Sequence, residues 1–99
     1  MAFRIRWTIP AADDFESLAR KIEEKSDLIE ARQVALEIYQ AIEGLKAHPH
    51  LGQALPDYPK LRHRIVSSFK VIHQVFEEER VVEIVRILHQ RQNLAMHLE

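Results

Sequence analysis

The sequence lacks cysteine, is poor in glycine and has no long apolar run. Without cysteine there are no disulfides, thiolate metal ligands or cysteine nucleophiles, which is typical of proteins of a reducing compartment. Two glycines are too few for a Gly-rich phosphate-binding loop. The apolar runs reach about four residues, whereas a transmembrane helix needs about 20. The N-terminal stretch also lacks the apolar core of a signal peptide, so we expect one cytoplasmic domain over residues 1–99, without membrane contact.

Acidic residues are absent from two segments of the second half of the chain, although the net charge is −1. These segments, 58–76 and 84–98, contain six basic residues: Lys60, Arg62, Arg64, Lys70, Arg86 and Arg91. All six histidines lie at or after position 48. This distribution indicates either a basic surface for an anionic partner or the ordinary unevenness of surface charge.

The first half of the sequence predicts a short strand followed by two helices. Residues 3–7 (FRIRW) alternate apolar and basic side chains, as in a half-exposed strand. Pro10 and the acidic residues after it are typical of a helix N-terminus, and apolar residues then recur at helical spacing. Asp27 and Glu30 have the spacing of a capping box, and a second apolar stripe follows until Pro49 ends the helix. The two helices should form a hairpin whose apolar faces point the same way.

The second half predicts a loop and three strands. Residues 48–61 hold three of the four prolines and one of the two glycines, which favours a loop. Three β-rich runs follow, HRIVS (63–67), FKVIHQVF (69–76) and RVVEIVRILH (80–89), with an acidic hairpin turn at 77–79. The last run is apolar on both faces, as expected for a central strand. We therefore predict an α+β fold, β-α-α-β-β-β, with an antiparallel sheet packed on the helical hairpin and its other face left for a partner.

The sequence has no signature of a nucleophilic or metal site. His48 and His50 are two loop histidines, which is too few ligands for a metal centre. The remaining candidates are cationic groups near the strand ends, namely Arg62, Arg64, Lys70, His89 and Arg91. Guanidinium groups suit phosphate because they are permanently charged and bidentate, and a histidine can transfer a proton near neutral pH. Such a set could serve RNA cleavage; the alternative is that these residues cap exposed strand ends.

The order of elements and the closing run VVEIVRILHQRQN resemble the ParE/RelE superfamily of toxins from bacterial type II toxin–antitoxin (plasmid stabilization) systems. The resemblance covers essentially the whole chain, and its sharpest part is the aliphatic strand that ends in His89, Gln90 and Arg91. The run RIVSSFKVIHQVFEEERVVEI (64–84) also follows the family's hairpin pattern. The resemblance implies one of two activities on one fold, because RelE-like members cleave mRNA in the ribosome whereas ParE-like members poison DNA gyrase.

The resemblance also implies roles for individual residues. In the RelE-like reading, the catalytic residues are Arg64, Lys70, His89 and Arg91. Arg62, Arg86 and His97 are expected to contribute to binding. His97 stands near the position of a catalytic tyrosine in some of these nucleases. We favour the ParE-like reading, in which the chain has no catalytic activity of its own. Ribosome-dependent nucleases are usually strongly basic because contacts to RNA phosphates dominate their affinity, and this chain is not.

A partner is implied as well, a cognate antitoxin whose disordered C-terminal segment folds on the toxin and covers its apolar surface. The target is expected to be DNA gyrase or, in the alternative, the ribosome and its mRNA, and no cofactor or metal is expected. A third reading is a non-toxic interaction module of the same fold. Leu98 and Glu99 are typical of the junction with a C-terminal purification tag.

Overall fold

The fold consists of two helices and a five-stranded sheet. The computed structural model describes residues 2–25 and 27–92. Along the chain, the elements are β1 (Arg4–Trp7), α1 (Ile9–Lys25), α2 (Leu28–Gly44), β2 (Gln53–Leu55), β3 (Tyr58–Val66), β4 (Phe69–Phe76) and β5 (Val81–His89). The strand order in the sheet is β1-β5-β4-β3-β2. The predicted α+β class, with a helical hairpin before the main strands, is confirmed.

The sheet differs from the sequence-based prediction in two ways. β1 pairs with β5 in parallel, so the sheet is mixed rather than wholly antiparallel. A parallel pair needs a long crossover between its strands, and the chain from α1 to β4 provides it. The predicted loop 48–61 also contains β2 and the beginning of β3, which pair around a two-residue turn at Pro56 and Asp57. Proline presets φ and aspartate accepts local hydrogen bonds, so these residues mark a hairpin turn inside the predicted loop.

The N-terminus of α2 is capped as its sequence predicts. Asp27 has an extended backbone, and its Oδ1 accepts a hydrogen bond from the Glu30 amide at 2.8 Å. This bond satisfies one of the amides that the first turn of a helix leaves without an intrahelical acceptor. α2 ends at Gly44, before Pro49, and the chain then turns towards the sheet.

The core lies between the helical hairpin and one face of the sheet. The helices contribute buried residues such as Leu18 and Ile38, and the central strand β5 contributes Ile84. On β4, alternate residues from Phe69 to Val75 pack against this layer, so Lys70, Ile72, Gln74 and Phe76 belong to the opposite face. We call these two surfaces the helix face and the far face of the sheet.

Two tight turns connect the last three strands. Ser67 and Ser68 join β3 to β4 with φ angles of 49° and 70°, the left-handed values that a two-residue type I′ hairpin requires. Residues 77–80 join β4 to β5 at the predicted acidic turn, where Arg80 has a φ of 56°. Because Phe69 pairs with both Val66 and His89, the serine turn and the end of β5 lie at the same end of the sheet.

Candidate functional site

Arg62 and Arg64 belong to the helix face of β3. In the register between β3 and β4 they lie opposite His73 and Val71, which share that face. Arg62 Nη1 donates a hydrogen bond to the carbonyl oxygen of Gly52 at 3.0 Å. Arg64 is exposed. Arg62 therefore ties β3 to the segment before β2, while Arg64 remains accessible to a partner.

Lys70 lies on the opposite surface of the sheet from Arg64. It is the second residue of β4, pairs with Leu88 of β5 and belongs to the far face. Its Nζ donates a hydrogen bond to the main-chain carbonyl oxygen of Gln92 at 2.9 Å. The structure thus brings Lys70 to the chain that follows β5, and separates it from the two arginines of β3.

His89 begins a compact turn, residues 89–92, which we call the exit turn. The His89 amide donates to Gln92 Oε1 at 2.7 Å, and the Gln92 amide donates back to the His89 carbonyl at 2.8 Å. The Arg91 amide donates to His89 Nδ1 at 3.2 Å. The His89 ring also packs edge-on against Phe69, with ring centroids 5.6 Å apart. Arg91 itself is exposed at the tip of this turn.

Arg86 is held by an ion pair with α1. Its Nε and Nη2 donate to the two carboxylate oxygens of Asp14, both at 2.7 Å, and both side chains are mostly buried. Asp14 Oδ2 also accepts the Ile87 amide at 2.9 Å. Hydrogen bonding to Asp14 raises the pKa of Arg86, against a smaller opposing effect of burial. Arg86 therefore links β5 to α1, a structural connection that the sequence analysis did not anticipate.

His73 is a buried histidine that the sequence analysis did not select as functional. It is 1% exposed, and its Nε2 lies 2.8 Å from the Pro49 carbonyl oxygen, so Nε2 carries the proton. Its Nδ1 has no hydrogen-bond partner within residues 2–25 and 27–92. Burial lowers the pKa of His73; the hydrogen bond to the Pro49 carbonyl opposes this effect, and the positive charge of Arg62 adds to it. The alternation of β4 indicates this burial, because His73 is on the same face of the strand as Phe69 and Val75.

A cleft of about 620 Å³ lies beside the exit turn, between α1 and the end of β5. Its apolar wall includes Leu18 and Ile22 of α1 and Phe69 of β4, and its polar wall includes Lys21 and His89. A second cleft, of about 520 Å³, lies at the other end of β4. Its lining has mixed charge, because it includes the basic Arg62 and the acidic residues 77–79.

Several sequence-based expectations concern residues outside this site. His97 and the junction residues Leu98 and Glu99 lie outside the described residues. His50 Nε2 contacts Glu77 Oε1 at 2.5 Å, so it pairs with an acidic side chain. No cluster of three or more metal-ligating side chains is found in the described part of the chain. Within the same part, none of the helices is long and apolar enough to cross a membrane.

The predicted catalytic residues are therefore distributed over both surfaces of the sheet. Arg64 and His89 are on the helix face, Lys70 is on the far face, and Arg91 is in the exit turn. A phosphoryl-transfer centre needs its base, acid and cations around one reacting phosphate. Arg64 and Lys70 are on opposite faces of the sheet. A phosphate bound on one face can therefore contact only one of these two residues. Arg91 is an exposed cation in the exit turn, at the end of the sheet.

Comparison with protein families gives one match over most of the chain. Residues 5–94 match the model of the family described as the ParE toxin of type II toxin–antitoxin system, parDE. A comparison with curated proteins gives no significant match in sequence.

Several solved structures have the same fold at low sequence identity. A chain described as belonging to the chromosomal ParDE toxin–antitoxin system from P. aeruginosa has a TM-score of 0.76 and 19% identity, covering 89% of this chain and 96% of that chain. A mutant RelE toxin from E. coli in the free state has a TM-score of 0.71 and 14% identity, covering 98% and 93%. A chain of the RelBE2 toxin–antitoxin complex from Mycobacterium tuberculosis has a TM-score of 0.61 and 19% identity, covering 90% and 99%. These similarities establish the fold, and function has to be argued from the site.

Proposed function

Because this chain belongs to the ParE toxin family of type II toxin–antitoxin systems, we propose that it inhibits growth by acting on DNA gyrase, without nuclease activity of its own. A cognate antitoxin neutralises it. The observation that carries the choice of target is the separation of Arg64 and Lys70 on opposite faces of the sheet. A protein that binds another protein does not need its cations gathered around one phosphate.

The electrostatics of the chain also support a protein target. Non-specific binding to RNA depends on neutralising several phosphates, each of which adds to the affinity by releasing counterions. The chain has a net charge of −1, and Arg86 is bound by Asp14. Arg62 donates to a backbone carbonyl. Arg64 and Arg91 remain as exposed arginines of the predicted set, which is few for a nuclease that must hold an mRNA strand.

The antitoxin partner is supported by apolar side chains that the fold leaves in solvent. On the outer surface of α2, Ile29 is 70% exposed and Leu36 is 55% exposed, and one helical turn further Tyr39 is also exposed. These three residues have the spacing of one helix face, which an amphipathic segment of a partner can cover. Among the similar solved structures, the M. tuberculosis RelBE2 structure is described as a toxin–antitoxin complex.

The alternative function is ribosome-dependent mRNA cleavage. One observation favours it, because Lys70, His89 and Arg91 lie at the same end of the sheet even though they differ in face. Similarity to the E. coli RelE toxin extends over 98% of this chain, although it concerns the fold. In this reading His89 would move a proton and the two basic residues would contact the phosphate.

A gyrase assay with purified protein and a mapping of mRNA from induced cells separate the two functions. Protein added to gyrase and supercoiled plasmid should yield linear DNA after denaturation of the trapped enzyme, and Arg91→Ala should weaken this effect. Arg32→Ala, which removes an exposed arginine of α2, serves as the charge-matched control. Primer extension on mRNA from induced cells should show no codon-phased cuts. Such cuts, with no trapped gyrase, would establish the nuclease instead, and normal growth on induction would support the non-toxic module.

A further inference from the structure

We propose that Lys70 is a positioning residue for Arg91: its ammonium group holds the exit turn against the sheet and so determines where Arg91 is presented. The inference concerns the geometry of the chain after β5, and its link to toxicity rests on the proposed function. It assigns to Lys70 a role different from the catalytic one that the family resemblance implies.

The exit turn is connected to the rest of the protein by two hydrogen bonds, one to β4 and one to the serine turn that precedes it. Lys70 Nζ on the far face donates to the Gln92 carbonyl at 2.9 Å. At the serine turn, the Gln90 amide donates to the Ser68 carbonyl at 2.9 Å. Arg91 lies between the two connected residues, so both sides of its backbone are held to the sheet.

The internal bonds of the exit turn complete this arrangement. The Arg91 amide donates to His89 Nδ1 at 3.2 Å, and the His89 ring packs against Phe69, which contacts the hydrophobic core. The core therefore orients the imidazole, and the imidazole orients the amide of Arg91. The exposed Arg91 side chain therefore extends from a backbone that hydrogen bonds hold at Gln90, Arg91 and Gln92.

The bond from Lys70 is expected to be the strongest of these. Hydrogen bonds with a charged donor contribute more to stability than neutral ones, and this bond is partly buried. The other bonds of the turn are between neutral groups at the end of a strand, where structure commonly opens locally. Removing the ammonium should therefore shift the turn towards open conformations while leaving the folded sheet intact.

A fixed position for Arg91 matters to binding because ordering a flexible cation on a target costs free energy. A closed exit turn removes part of this cost before the target is met. Opening the turn should weaken the effect on the target without removing any group that contacts it. This outcome distinguishes a positioning residue from one that binds the target directly.

The test compares Lys70→Met with Lys70→Arg, which restores a cationic donor, and with Lys60→Met, which removes an exposed lysine of β3. Hydrogen exchange measured by NMR should be about tenfold faster at the His89 and Gln92 amides in Lys70→Met, from the loss of one charged hydrogen bond. Exchange in the centre of β5 should not change. Lys60→Met should match the wild type, and Lys70→Arg should recover most of the protection. Unchanged exchange in Lys70→Met would overturn the proposal.

The functional arm uses the same variants in the gyrase assay. Lys70→Met should raise the protein concentration needed for DNA cleavage by about tenfold, and combining it with Arg91→Ala should add nothing to the effect of Arg91→Ala alone. Additive losses would show that Lys70 acts independently of Arg91 and would overturn the positioning role. If the wild type does not trap gyrase, the proposed target is wrong, and the exchange data alone decide whether Lys70 holds the turn.

Discussion

The ion pair between Asp14 and Arg86 allows a sharp prediction about stability. Asp14 accepts two hydrogen bonds from Arg86 at 2.7 Å and a third from the Ile87 amide at 2.9 Å. Replacing Asp14 with alanine removes all three hydrogen bonds at once. We expect the free energy of unfolding of Asp14→Ala to fall by about 3 kcal/mol.

The magnitude follows from the burial of the pair. Exposed ion pairs contribute about 0–1 kcal/mol, whereas removing one partner of a buried pair costs about 3–5 kcal/mol. The side chains of Asp14 and Arg86 are 14% and 18% exposed, which places the pair closer to the buried limit. The Ile87 amide adds to the loss, because a partly buried donor without an acceptor costs about 1–3 kcal/mol. Screening by the remaining solvent reduces the sum, so about 3 kcal/mol is the expected net effect.

Urea unfolding at equilibrium measures this change. The midpoint should fall while the slope with urea stays the same, because the surface exposed on unfolding is unchanged. Asp13→Ala is the matched control, since Asp13 precedes Asp14 on α1 but is exposed, and its loss should change stability by less than about 0.5 kcal/mol. Asp14→Asn should be intermediate, because the amide keeps one oxygen acceptor. A loss below about 1 kcal/mol in Asp14→Ala would refute the reasoning and show that solvent screens the pair.

Four further predictions concern single positions. Gly52→Ala should destabilise the protein by about 2 kcal/mol or more in urea unfolding, because Gly52 has a φ of 90° and a Cβ there would lie 2.5 Å from the His63 carbonyl oxygen. Ser68→Gly should raise stability by about 0.5–1 kcal/mol, since a left-handed φ strains serine; an unchanged melting temperature would contradict this. Burial lowers the pKa of His73 below its unfolded value of about 6.5. Below that pH the unfolded state therefore binds more protons than the folded state, and the free energy of unfolding falls. His73→Leu removes this group, so its free energy of unfolding should fall less than that of the wild type between pH 7.5 and 5.5. Arg91→Ala should strongly reduce toxicity in a growth assay and keep thermal stability within about 0.5 kcal/mol, whereas a parallel loss of both would indicate a structural role.

Much of the local structure could be predicted because it depends on neighbours in sequence. Asp27 caps α2 through an amide three residues away, and β3, β4 and β5 follow from local runs rich in strand-forming residues. The acidic turn at 77–79 is likewise a local signal. The error in the segment 48–61 arose because its prolines were read as breaking regular structure, whereas Pro56 occupies a hairpin turn.

The candidate site was predicted less completely, because the role of a cation depends on what the fold places beside it. Nothing near Arg86 in sequence indicates that Asp14, 72 residues away, will bind it. The register between β4 and β5 also shifts by one residue, because Ile72 pairs with Arg86 whereas His73 pairs with Ile84. No local pattern in the sequence predicts this irregularity. Arg91 is exposed because it lies in a turn at the end of a strand.

The sequence by itself determined the two helices, the strands other than β2, the order of these elements, the faces that enter the core and the family to which the chain belongs. The tertiary structure alone decided that β1 joins β5 in parallel, that Arg64 and Lys70 lie on opposite faces, and that Lys70 reaches the exit turn. The physical reason is the range of the interactions. Helical and strand periodicity arises between residues two to four positions apart, whereas pairing across the sheet depends on the whole chain packing around one core.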